Sequence, residues 1–167
     1  MSLTFVVGNA ADVFAGDLAR VVDGELRARY SLPQRDDPYT SEPIDASGWR
    51  QLQQRVLRTV DLSPQIASVD AYQAVYMPGA ANTVEHLPIA NLADPLQVGS
   101  LSALLEELGR FASVASLPTD DLELMKLAAH YLESEDPDAD LDVQTYVQLM
   151  LSARQAMARG QALWVVV

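Results

Sequence analysis

The last six residues, Ala-Leu-Trp-Val-Val-Val (162–167), constrain the fold more than any other stretch of this chain. The segment is too apolar to be left in water. It is also far short of the roughly 18 apolar residues a membrane span requires, and no other run approaches that length. A central β-strand satisfies both facts, because a strand buried in a sheet reads as a continuous hydrophobic run. Burial of Trp164 and the three valines contributes roughly 1.5–3 kcal/mol each. The natural partner is the other short apolar run, Leu3–Val7 (LTFVV), which Gly8-Asn9 ends as a turn pair ends a strand. Both termini are therefore expected in one sheet.

Helical patterns supply the remainder. Asp45 or Ser47 is positioned to cap a helix reaching about Val60, with Trp49, Leu52, Val56 and Val60 on one face. Ser100 or Ser102 precedes a segment reaching about Val114 with Leu101, Leu104, Leu105, Leu108 and Phe111 at core spacing. Asp120, Asp121 and Glu123 favour the first turn of a helix reaching Leu132, because its dipole attracts anions there. In that helix Leu122, Met125, Ala129 and Leu132 are expected to face the core, opposite a solvated row of Lys126, His130 and Glu133. A last helix runs from about Leu141 to Arg159, and Gly160 stops it.

Residues 69–77 (VDAYQAVYM) read as a strand ended by Pro78-Gly79, residues 31–45 as a proline-rich loop, and residues 80–99 as mostly irregular. Residues 10–30 admit two readings. Asp23-Gly24 suits a two-residue hairpin turn, pairing Val22 with Glu25 and Val21 with Leu26 so that apolar and polar pairs alternate. The same stretch also fits a helix up to Val22 through Val13, Phe14, Leu18, Val21 and Val22. The hairpin is the expectation adopted. The fold class is then α+β: a single domain over residues 1–167, with a small mixed sheet containing both terminal strands and an early hairpin, packed by three to four helices.

Charge is the second constraint. The formal net charge is −12. Residues 1–60 carry seven arginines against eight carboxylates, net −1, whereas residues 61–167 carry four cations against fifteen carboxylates, net −11. Such a field repels nucleic-acid phosphates and attracts cationic partners, although negative charge also serves solubility alone. No cysteine is present, which excludes disulfides, thiolate catalysis and thiolate metal sites. The start MSLTFVV lacks the features of a signal peptide, so no membrane association and a cytoplasmic location are expected.

Catalytic patterns are sparse. Neither a P-loop, a dinucleotide fingerprint nor a nucleophile elbow occurs. His86, beside Glu85, is the one catalytic candidate as an acid/base in a loop. Arg27, Arg29 and Arg50 are candidate anion ligands near the proline-rich loop, since guanidinium groups bind phosphate and carboxylate in a bidentate manner. Residues 133–142 (ESEDPDADLD) hold six carboxylates and no cation. Asp136, Asp138 and Asp140 mimic the first ligands of a calcium loop, but Leu141 stands where its glycine belongs and Val147 where its bidentate glutamate belongs. No metal or cofactor is expected. Asp140 or Asp142 suits the cap of the last helix, leaving Glu133, Glu135, Asp136 and Asp138 as surplus charge for a basic partner.

Three function classes follow. The first is a non-enzymatic acidic protein engaging a basic protein, for which an inhibitor or immunity-type protein is a concrete form. The second is an enzyme or small-ligand binder with an arginine-lined anion pocket. The third is the subunit of a homo-oligomer that buries a second face of helix 141–159, through Leu149 and Leu151, against a copy of itself.

Overall fold

The computed structural model describes residues 1–60 and 63–167. Strand β1 (Ser2–Gly8) pairs antiparallel from Thr4 to Gly8 with the whole C-terminal strand, with Phe5 opposite Val165 and Val6 opposite Trp164. In chain order the remaining strands are β2 (Tyr39–Thr40), β3 (Ile44–Asp45), β4 (Ala74–Met77), β5 (Glu85–Leu87) and β6 (Leu96–Ser100), and the C-terminal strand is β7 (Ala162–Val166). The sheet order is β2-β1-β7-β4-β6-β5, with β3 also paired to β1. Among the described residues only β4 and β6 run parallel; the other pairs are antiparallel. The terminal strand is thus interior, as its apolar run demands, and the fold is α+β with both termini in one mixed sheet.

Alternation along the strands divides the core into two clusters. Leu3, Phe5, Val7, Ala74, Tyr76, Leu163 and Val165 point to one face. There they meet α2 (Ser47–Thr59), the single turn α3 (Pro64–Ala67), α4 (Leu101–Ala115), α5 (Asp121–Leu132) and α6 (Leu141–Arg159). Val6, Val75, Met77, Leu96, Val98 and Trp164 point to the other face, which α1 (Gly16–Arg27) covers through Val22 and Leu26. Period-two side-chain direction makes this division unavoidable once β7 is central.

The early hairpin is not formed. Asp23 and Gly24 lie inside α1, where Ala19, Val22 and Leu26 recur at three- and four-residue spacing and are buried. Arg27 Nε donates to Asp23 at 2.9 Å, and Arg20–Asp17 and Arg29–Glu25 are further pairs on the same helix. Such i,i+3 and i,i+4 pairs favour a helix modestly. The decisive term is burial. A hairpin would extend the sheet sideways and leave the Val6–Val75–Trp164 face in water, whereas a helix covers it. That gain exceeds the roughly 1 kcal/mol cost of a mid-helix glycine.

Four further expectations change. Residues 80–99 contain β5 and β6, and the strand read over 69–77 begins only at Ala74. Gln73 breaks it with φ of 50°, and Gln97 holds the preceding turn by bonding Asp70 and Tyr72. The proline-rich loop carries the two short strands β2 and β3 on β1. The helix count among the described residues is six, not three to four, because α1 replaces the hairpin and α3 occupies one turn.

The face with five helices also contains a buried polar cluster. Glu107 on α4 is 2% exposed, and its carboxylate accepts from the backbone N–H groups of Gln65 and Ile66 at 3.0 and 3.2 Å. Gln65 in turn accepts from the N–H of Ser100 at 2.8 Å, and the Tyr76 hydroxyl donates to the Gln65 carbonyl. Burial pushes the Glu107 carboxyl above its ordinary value, against the lowering effect of those two N–H donors. These bonds staple α3 across the start of α4 and satisfy groups that would otherwise be buried without partners.

Candidate acidic surface on helix α5 and its connection

The expected helix from 141 is present, and Asp140 occupies its N-cap position. Its carboxylate does not cap. Asp140 takes a left-handed conformation, φ 48°, and accepts instead from the Tyr131 hydroxyl at 3.2 Å. Burial, helped by the negative charge of Asp140, pushes Tyr131 up to about 12, so the phenol remains a neutral donor. Asp142 pairs with Arg55 at 2.8 Å, and the Arg55 guanidinium also lies over the Phe111 ring at 5.6 Å. The last helix is therefore anchored by an ion pair to α2 rather than by side-chain capping.

The connection before it is ordered by local bonds. Asp138 N–H donates to Asp136 Oδ1 at 3.1 Å, Asp136 N–H donates to Ser134 Oγ at 3.3 Å, and Gln144 Nε2 reaches back to the carbonyls of Pro137 and Ala139. Asx-type turns of this kind are what Asp and Ser favour outside regular elements. Glu133, Glu135, Asp136 and Asp138 are all exposed on it. Seven ion pairs form among the described residues, and none includes any of these four carboxylates. Among the described residues, no group of three or more His, Asp or Glu is placed to hold a metal ion.

Helix α5 differs from the expectation in a way that bears directly on this surface. Its inward row is Leu124, Leu127, Ala128 and Tyr131, with Leu124 fully buried. Leu122, Met125 and Leu132, read from the sequence as core, are 60%, 56% and 64% exposed, and Ala129 is exposed with them. The helix carries two apolar rows and the fold covers only one, because α5 lies at the outside of the layer and packs on α6. Lys126 pairs with Glu123 at 3.1 Å on the solvated side, as expected of that row. The signal available in the sequence was the width of the apolar arc, which is broader than one buried face needs.

The other candidates are scattered. Arg27 and Arg29 are on α1 and Arg50 is exposed on α2, so the sheet itself stands between them. Arg27 is further occupied by Asp23 and the carbonyls of Leu32 and Pro33. The structure does not bring these three arginines together. His86 is exposed on the edge strand β5, in a shallow depression with Asp70, Tyr72, Asp94 and Gln97. In α6, Leu149 is fully buried and Leu151 half-buried, so the face proposed for a second copy is filled by the chain's own core. No helix among the described residues is long and apolar enough to cross a membrane. No protein-family model matches this chain, and neither does a curated protein or a solved structure, so the chemistry of the surface rests on its own residues.

Proposed function

We propose that this is a non-enzymatic acidic binding protein that engages a basic protein partner through residues 133–138, an inhibitor or immunity-type protein being one concrete form. The single observation that supports the reading is the disposition of charge. Arg154 neutralises Asp121 at the start of α5 and Arg55 neutralises Asp142 just after the connection, while Glu133, Glu135, Asp136 and Asp138 are exposed and form no ion pair among the described residues. Unpaired surface carboxylates gain little from their own chain and steer a cationic partner at long range, a force that falls steeply with ionic strength.

The test is capture of basic proteins from extract of the source cell by the immobilised chain, at low and at moderate salt. The comparison protein is Glu133→Gln/Glu135→Gln/Asp136→Asn/Asp138→Asn. A partner retained at low salt, weakened at moderate salt and lost with the neutralised variant is the expected result. Absence of any partner at low salt, or equal capture by the variant, overturns the reading.

A further inference from the structure

We infer that the exposed apolar row of α5 is the contact surface for one amphipathic helix of the partner, whose apolar ridge is flanked by lysine or arginine. This inference rests on the acidic-partner reading above and specifies what the partner must look like. Leu122, Met125, Ala129 and Leu132 follow one another at spacings of three, four and three, the seam on which one helix packs against another. Leu122 to Leu132 covers about 15 Å of helix, enough for roughly three turns of a partner. Beside Leu132 the surface dips into a small notch of mixed lining, Glu42 and Gln144 next to Pro43 and Ile44.

Charge selects the occupant. Between residues 120 and 140 stand eight carboxylates; Lys126 pairs with Glu123 and Arg154 with Asp121, which leaves Asp120, Glu133, Glu135, Asp136, Asp138 and Asp140 in excess. The row thus runs through a negative surround, with Asp120 just before its start and Glu133 and Glu135 just beyond its end. A second copy of this chain would lay the same surplus against itself. A helix with cations beside its apolar ridge satisfies both the row and its margins, as helix-in-groove recognition does when apolar anchors are bordered by complementary charge. Leu57 and Val114 are as exposed, but each stands on a different helix, whereas Leu122, Met125 and Leu132 share one face of one helix, the kind of apolar patch that marks an interaction surface.

The experiment uses the whole chain and three labelled probes, read by fluorescence anisotropy at low salt. The first is an amphipathic lysine–leucine peptide of about fifteen residues with leucines at helical spacing. The second is its scrambled isomer, and the third is polylysine. The expected result is a preference of about tenfold or more for the amphipathic peptide over its isomer. Leu122→Ser/Leu132→Ser should abolish that preference while polylysine binding is unchanged. Because both positions are exposed, the variant should melt with the parent protein. Equal binding of both isomers, or a preference that survives the serine substitutions, overturns the helix inference but leaves the charge reading standing. A dimer in sedimentation that dissociates on Leu132→Ser overturns it too, in favour of a second copy. Failure to bind polylysine as well removes both.

Discussion

Helices α5 and α6 are joined by the acidic connection and lie side by side, and α5 is on average the more hydrophobic of the two. Yet α6 is buried almost all round, including Thr145, Gln148 and Ser152, while α5 buries a single residue completely and turns three large apolar side chains to solvent. Position in the layer explains the inversion. α6 crosses beneath β1 and is enclosed by α2, α4 and α5, so even its polar side chains are covered. α5 packs chiefly on α6, and its Leu122–Met125–Leu132 side is exposed. Burial in this protein follows from how many neighbours an element has, and a helix at the margin keeps an apolar row only at a cost in exposed surface. The contrast singles out the α5 row as a surface that folding has left unused.

Four measurements break or sharpen the contrast. The largest effect is expected at Leu149, fully buried at the centre of α6. Leu149→Ala should cost about 2–5 kcal/mol in denaturant unfolding through lost transfer energy and an unfilled cavity. Next is the seam between α2 and α6. A Cβ at Gly48 would stand 3.2 Å from the Leu141 carbonyl oxygen and would collide with Thr145 Oγ1, which cannot retreat because it donates to that same carbonyl at 2.7 Å. Gly48→Ala should therefore cost about 1–3 kcal/mol by forcing the helices apart, and a neutral result would show the seam to be looser than described.

Buried and exposed carboxylates should part company with pH. The folded-state pKa of Glu107 is raised by burial above 4.5, so the folded chain binds this proton more tightly than the unfolded chain does. Its ionisation thus lowers stability as pH rises from about 4.5 through the folded value, and acidification over the same window restores it. Glu107→Gln should remove this contribution, visible as a difference in the slope of stability against pH between the variant and the parent. Parallel slopes would sink the assignment. A glutamine amide offers one acceptor oxygen to the two buried N–H groups that the carboxylate satisfies, so the variant should also carry a loss of stability that does not vary with pH. The smallest effect belongs to α5: Leu132→Ala should stay within about 0.5 kcal/mol of the parent protein, as an exposed position does. A loss comparable to that of Leu149→Ala would show that the row is covered after all.

Both groups of carboxylates were visible as residues, and their roles were not. Glu107 reads in the sequence as one more charge in the helix that follows Ser100; only the fold places it against the N–H groups of Gln65 and Ile66, more than 40 positions away. The acidic connection was legible as surplus charge, because no cation interrupts it. What could not be read was that Asp140 would face Tyr131 and that Asp142 would take Arg55 from α2. His86 and the three arginines could be nominated by residue type, but residue type does not say which face of a sheet an element covers.

The sequence by itself determined the elements with long, one-sided or uninterrupted apolar patterns. These are the helices after Ala46, Ser100, Asp120 and Asp140, the stop at Gly160, and the burial of both terminal strands in one sheet. In each, local spacing and the cost of leaving apolar surface in water point the same way. Tertiary structure alone decided the matters in which two local solutions cost nearly the same. Residues 16–27 could make a hairpin or a helix until the second face of β7 needed a cover. Helix α5 has two apolar rows, and its place at the edge of the layer chose which one reached the core.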